Sequence, residues 1–488
     1  MSTAAERTAE DRQRDEQPDP RQRIALWSLL LATFMGMLDL FIVNVAAPAV
    51  QGDLHASFGD IQFVIAGYTL AYAMGLVTSG RLGDACGRRR VFVIGVVVFG
   101  AASVACAAAP GAGALVAARV VQGLGAALML PQVLALIQVM FTGTERARAI
   151  GLYGAVLPVG AIAGQIAGGS LVRLDLFGLG WRMIFVVNVP LCVLAAIGAL
   201  LTVTKVDGSG RSTFDVPAVG MLSLALLLLL YPLIVGPERG WSSTATVELV
   251  ASAVLFAAFG LWERRMDARG AAALLPLRLF GERGFARGLP TALFFYSGNS
   301  GLVLILSYFL QKGVHLAPLS SGLVFVPMGI ASAVAALAAR RLVERYGHRV
   351  TVSGTGFLLV GLLLTWAAIG AGHGGAQALA LLPGLVVASF GQGLIAPALI
   401  GLVLAEVVRE DSGAASGGLL TATQVANALG VAVIGAAFTV LVGDHGYRTA
   451  FATCLFVLGA LALATFVFLM LLRPRPAGAV TGQAPTRT

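Results

Sequence analysis

The 488-residue sequence predicts an all-α polytopic membrane protein, with two pseudo-symmetric six-helix bundles and two further helices inserted between them. Three observations carry that reading. Hydrophobic residues make up 58% of the chain and charged ones 12%, with a mean hydropathy of +0.87, too apolar for a soluble fold. Fourteen apolar runs are each long enough to cross the hydrocarbon core as a helix. A cluster of charge and glycine near residue 80 also recurs, in related form, 260 residues later.

The runs fall at 24–48, 61–79, 91–109, 113–138, 146–171, 183–203, 216–235, 246–262, 286–310, 319–339, 350–370, 376–405, 412–442 and 449–472. Residues 1–23 precede them with six acidic and five basic side chains, too charged for the core of a signal peptide. They read as a disordered cytoplasmic tail, as does the Pro/Arg/Thr-rich stretch 473–488. The bundles are expected at 24–203 and 286–472. Between them, 204–285 holds helices seven and eight with their linkers, peripheral to both bundles.

An even number of spans puts both termini on one side, and lysine and arginine decide which. Of the 33, 27 fall in the tails and alternate loops that share the termini's side. The opposite loops hold only Arg173, Arg182, Arg239, Lys312 and Arg448, and Arg119 lies inside a span. This asymmetry predicts cytoplasmic termini. It also accounts for the +9 net charge without a nucleic-acid partner. The four cysteines, Cys86, Cys106, Cys192 and Cys454, are too dispersed for a disulfide framework or a metal site.

Between the second and third runs lies Gly80-Arg81-Leu82-Gly83-Asp84-Ala85-Cys86-Gly87-Arg88-Arg89-Arg90. Its length between two spans predicts a tight turn at the membrane surface. Its glycines let helix ends approach, and Asp84 can face an arginine or a helix N-terminus. A positive-inside signal alone needs only the arginines. A second such turn runs from Arg340 to Arg349; the 260-residue shift aligns Leu82 with Leu342, Asp84 with Glu344, Gly87 with Gly347 and Arg89 with Arg349. Such a repeat is expected of two bundles related by an axis along the membrane normal.

The first cluster resembles the signature between the second and third helices of the major facilitator superfamily. Four further stretches resemble its fourteen-helix drug:proton antiporter branch. They are Leu38-Asp39 through Asn44-Val45-Ala46-Ala47-Pro48, Arg119-Val120-Val121-Gln122-Gly123, Trp181-Arg182 through Asn188-Val189-Pro190, and Ala414 through Gly430. The fifth helix departs from the family pattern. Where a glycine-proline pair is expected it has Gly164-Gln165, within a row of Gly160, Gly164, Gly168 and Gly169 whose four-residue spacing offers one smooth face for helix packing.

The resemblance implies a proton-coupled antiporter of the cell membrane, without a cofactor, that exports lipophilic drugs or antibiotics by alternating access. The alternative is a proton-coupled symporter importing a small organic solute. Asp39 and Arg119 are the proton-coupling candidates, because they are the two charges deep in the membrane. Burial favours the neutral acid and the approach of Arg119 favours the carboxylate, so a change in their separation can load and release a proton. Gly80, Asp84, Gly87, Arg88 and Arg89 form the candidate conformational-switch loop. Asn44, Gln122, Gln165, Tyr296, Asn299, Gln392 and Gln424 are candidates for a substrate cavity; for these, and for Gln132 and Asn427, interhelical hydrogen bonding is an equally good account.

Asp39 is the one acidic residue expected well inside a span, which favours neutral or monocationic lipophilic substrates. Protons and the lipid bilayer are the other expected partners, and a monomer is expected. His315, His348 and His373 read as solvated loop residues. No HExxH, paired histidines or paired acids occur within the spans, so nothing points to an enzyme or a metal centre.

Overall fold

The structure is a computed structural model that describes residues 19–204, 215–269, 277–404 and 412–471. Helices α1 to α6 run Pro20–Asp53, Phe58–Cys86, Arg88–Ala107, Ala112–Met140, Gly143–Leu174 and Gly180–Thr202. Next come α7 (Val216–Arg239), α8 (Ser243–Ala268), α9 (Arg283–Tyr308), α10 (Pro318–Tyr346), α11 (Arg349–Ala367) and α12 (Gly374–Leu404). The long run Ser412–Leu471 breaks at Gly446, whose φ of 76° no continuous helix can hold, into α13 and α14. The described residues therefore contain the fourteen helices expected. Residues 1–18 and 472–488, most of the linker at 204–215 and the α12–α13 connection with Glu406 lie outside them, whereas residues 20–23, expected in the disordered tail, form the first turn of α1.

Helix starts follow local chemistry. Asp19 caps α1 by accepting from Arg21 N, with Pro20 at the first helical position. Ser57 and Asp60 close a reciprocal capping box on α2, at 3.0 and 2.9 Å. Asp215 accepts from Ala218 N at 3.1 Å and from the Trp262 indole at 3.0 Å, so one carboxylate caps α7 and ties it to α8.

The cluster at residues 80–90 is not the turn expected of it. Gly80 through Cys86 form the last turns of α2, and only Gly87, at φ 92°, reverses the chain before α3 begins at Arg88. Its repeat mate Gly347 turns the chain in the same way between α10 and α11, at φ 57°. Polar residues at a membrane surface need not stop a helix, because water and neighbouring side chains satisfy them; the left-handed glycine is what stops it. α2 is also bent by 50° between Leu76 and Thr78, where the Thr78 hydroxyl donates back to Gly75 O.

In each half the first and fifth helices, the second and fourth, and the third and fourth pack as neighbours. The halves meet where α5 lies on α10 and where α2 lies on α13. These seams, and a third contact of α9 on α1, are tight at the end of the molecule away from the Gly87 turn. There Ser307 Oγ donates to Asn44 O (2.8 Å), Gln311 to Val45 O (2.8 Å) and Gln62 to Val431 O (2.7 Å). A Cβ on Gly169 would lie 2.5 Å from Pro318 O, and one on Gly322 would lie 2.5 Å from Gln165 O. Toward the Gly87 end, by contrast, a Cβ on Gly80, Gly151, Gly154 or Gly417 would meet nothing within 4 Å. The far end is thus bridged from one half to the other, while Gly80 of α2, Gly151 and Gly154 of α5 and Gly417 of α13 face open space at the near end.

The inserted pair corrects one expectation. Although α7 belongs to neither bundle, it packs against α2 of one half and α13 of the other, and Phe63 lies 5.8 Å from Tyr231 across the first contact. A second correction concerns charge. The eighth span was expected to end at residue 262, but α8 continues to Ala268 and carries Glu263 fully buried, so Asp39 is not the one buried acid of the helices. His348, expected to be solvated, is half-buried at the start of α11, and that burial lowers its pKa.

Three of the glycines in α5 explain how the first helix is held. A Cβ would lie 2.8 Å from Met37 Cβ at Gly160, 2.5 Å from Leu38 O at Gly164 and 2.7 Å from Ile42 O at Gly168. They bracket Asp39 and let α5 press against the α1 backbone. Gly164→Val is therefore expected to cost about 1–3 kcal/mol, the usual range for overpacking. Thermal unfolding of the purified protein checks this, and an unchanged midpoint would contradict the packing described.

Candidate functional site: a buried carboxylate with three donors

Asp39 and Arg119 are the buried charges of α1 and α4, and they meet inside the N-terminal bundle at 0% and 1% exposure. Arg119 Nη1 is 2.6 Å from Asp39 Oδ2. Two amides complete the carboxylate: Gln122 Nε2 donates to Oδ1 at 2.9 Å and Asn188 Nδ2 donates to the same oxygen at 2.8 Å. Every partner of Asp39 is a donor, and both of its carboxylate oxygens accept.

The guanidinium is held as fully as the acid. Its Nη1 also donates to Gln122 Oε1 (2.6 Å), its Nε donates to Val64 O (3.2 Å), and its plane lies 4.1 Å from the Tyr68 ring centroid. Gln122 donates further to Ser103 Oγ at 2.8 Å. The network thus joins α1, α2, α3, α4 and α6. One buried acceptor, Asn188 Oδ1, has no partner in it. An ion pair in such a place is costly to build and costly to break, because either partner left alone is a bare charge in a low-dielectric interior.

The sequence points to the pair and leaves Gln122 open between a substrate cavity and interhelical hydrogen bonding; in the structure Gln122 hydrogen-bonds within the ion-pair network. Asn188 was quoted in a motif without a role, and Ser103 and Tyr68 were missed. An amide in the apolar run 183–203 was the available signal for Asn188.

The other cavity candidates scatter. The Asn44 side chain donates to Leu40 O of its own helix. Gln165 is buried at the α5–α10 contact with Oε1 unpartnered. Gln424 accepts from Asn427 at 2.8 Å, one turn along α13. Tyr296 is half-buried beside Phe295. Asn299 and Gln392 do come together, with Leu358, Leu362 and Thr465, around a void of about 20 Å³ among α9, α11, α12 and α14. That is room for one water. Asn299 is also Asp39 shifted by 260, so the C-terminal half carries an amide where the N-terminal half carries its acid.

Of the loop residues, Asp84 pairs with Arg88 (Oδ1–Nη2 3.0 Å), Arg88 Nη1 donates to Ala135 O (3.3 Å), and Arg89 donates to Leu200 O. The arginines therefore satisfy carbonyls in the last turns of α4 and α6. The close approach belongs to Gly83, not Gly80: a Cβ there would collide with Gln132 Oε1, whose amide donates to Ser79 O at 2.8 Å. At the opposite end, Trp181 Nε1 (2.8 Å) and Arg182 Nη1 (2.6 Å) both donate to Asp53 and tie the start of α6 to the end of α1. These bonds hold the Asp53 carboxyl below its ordinary value. Because the folded pKa is the lower one, the clamp is intact above the ordinary carboxylate range and is lost as pH falls through the folded value.

Two related six-helix bundles that meet at one end, the first of them holding a buried ion-pair network, define a membrane transporter of the two-bundle type. The chain belongs to the major facilitator superfamily, whose family model matches residues 29–286 and 288–487. It is 40% identical over 429 residues to the probable actinorhodin transporter of Streptomyces coelicolor, covering 88% of this chain and 74% of that one. It is 34% identical to the tetracenomycin C resistance and export protein of Streptomyces glaucescens, over 86% of this chain and 77% of that one. Among solved structures, an inward-facing, occupied bacterial homologue of the human lysosomal transporter Spinster superposes with a TM-score of 0.69. That match is 17% identical and covers 94% of this chain and all of the other, a likeness of fold.

Proposed function

We propose that this protein is a proton-coupled antiporter that exports lipophilic antibiotics or drugs across the cell membrane by alternating access. The observation that carries the proposal is the buried Asp39 carboxylate, which Arg119, Gln122 and Asn188 satisfy completely in this conformation. The relatives that transport or confer resistance to antibiotics support the direction.

With the termini cytoplasmic, as the arginine distribution implies, the closed end faces outward and the open end faces the cytoplasm. Asp39 is then ionised while the protein awaits substrate from inside. Rocking to the outward-open form separates the pair or admits water, and Asp39 takes a proton from outside. On return the Arg119 contact re-forms and the proton leaves to the cytoplasm. Asp84 biases the switch, since its contacts with Arg88 suit one arrangement of α2 and α3.

Everted membrane vesicles with a panel of neutral and monocationic dyes test the reading. Antiport requires dye to accumulate when the vesicle interior is made acid and to leave when the gradient is collapsed. Dye driven out by the same gradient would establish symport instead.

A further inference from the structure

The ion-pair network gives no part to the inserted helices, yet α7 and α8 enclose a space against α9 and α13 of the C-terminal half. Leu222 and Leu226 of α7, Phe256 and Phe259 of α8, Leu293 of α9 and Thr421 of α13 line a cavity of about 260 Å³. The lining runs from the Gly87 end of these helices to about their middles, where Leu229, Phe256 and Leu429 lie. Leu222 is near the start of α7, Phe259 is toward the end of α8, Leu293 is in the first half of α9, and Thr421 is in the early turns of α13. That is the end at which the near-end glycines face open space, including Gly417 on α13 itself.

Three features suit this cavity to a ligand better than to packing. Its volume lies just under the roughly 300–1,000 Å³ of small-molecule sites. Its lining is aliphatic and aromatic apart from Thr421, so water has few partners there and an apolar occupant is favoured. Thr421 reaches past the cavity wall to donate to Ala73 O of α2 at 3.4 Å, so the wall is itself part of the contact between the halves. Most of the lining, Leu222, Phe256, Phe259 and Leu293 among it, is half-buried, so the cavity is open at its side.

We infer that this cavity is a binding site for the ring system of the exported lipophilic compound, entered from the bilayer leaflet nearest the termini, and that α7 and α8 are its outer wall. The inference rests on the export reading. A flat apolar compound concentrates in the leaflet, and a site bounded by α7, α8, α9 and α13 receives it beside the α2–α13 seam that opens toward the same end. Occupancy wedges against Thr421 and α13, and so links loading of the compound to the arrangement of the halves.

Two measurements test this separately from export. In the first, protein in lipid nanodiscs is photolabelled with an adamantyl diazirine, and the modified peptides are mapped. Labelling is expected on Leu222–Leu226 and on Thr421–Val425, and it should fall when Nile red, a neutral planar dye, is added. In the second, Ala422→Trp and Leu293→Trp fill the cavity, with Leu227→Trp on the exposed face of α7 as the control. The filled variants are expected to raise the half-saturating Nile red concentration for export at least fivefold, while the control matches the unaltered protein. Labelling elsewhere, labelling displaced by added phospholipid but not by dye, or wild-type export kinetics in both filled variants overturns the site. Labelling as expected, with no transport driven by a proton gradient, leaves the site standing and contradicts the export reading.

Discussion

Purified Asp39→Asn protein in liposomes is expected to exchange dye down its own gradient but to lose uphill export driven by an imposed pH gradient. The asparagine keeps the shape of the acid and can still accept from Gln122 or Asn188. Arg119 keeps Gln122 Oε1, Val64 O and the Tyr68 ring. The fold should therefore survive, at a cost on the order of 1–3 kcal/mol for the weakened bonds. What the variant lacks is a group able to take a proton. If the pair were only a brace between α1 and α4, the same variant would be less stable and still pump.

Arg119→Leu should do more damage to stability than Asp39→Asn. It strands a buried carboxylate, and breaking a buried ion pair from one side costs about 3–5 kcal/mol. The double variant, Asp39→Asn with Arg119→Leu, leaves no bare charge and is expected to melt above Arg119→Leu alone. Thermal unfolding of the three proteins provides the comparison. A double variant less stable than Arg119→Leu would mean that the two side chains do not act on each other.

The helix pattern and the repeat were legible because bilayer thickness imposes them on the sequence. Fourteen runs became fourteen helices, and the pairing of Asp39 with Arg119 followed from how few charges lie at that depth. What could not be read was which polar atom meets which. Gln122 and Asn44 look alike in sequence, yet one bonds an aspartate three helices away and the other its own backbone. Asn188 reaches the acid only because the start of α6, tied to Asp53 by Trp181 and Arg182, sits beside α1. The boundary errors share one cause. Arg81, Asp84 and Glu263 read as loop residues by charge, but a helix end at the membrane surface tolerates them, and α2 and α8 run on through those positions.

The central claim is that Asp39 carries the proton exchanged for substrate. It is tested most directly by recording pH in weakly buffered, purified protein that starts with Asp39 protonated at mildly acid pH, while a saturating exported dye is added. The account predicts proton release from the unaltered protein and none from Asp39→Asn at equal dye binding. Equal release from both would contradict it.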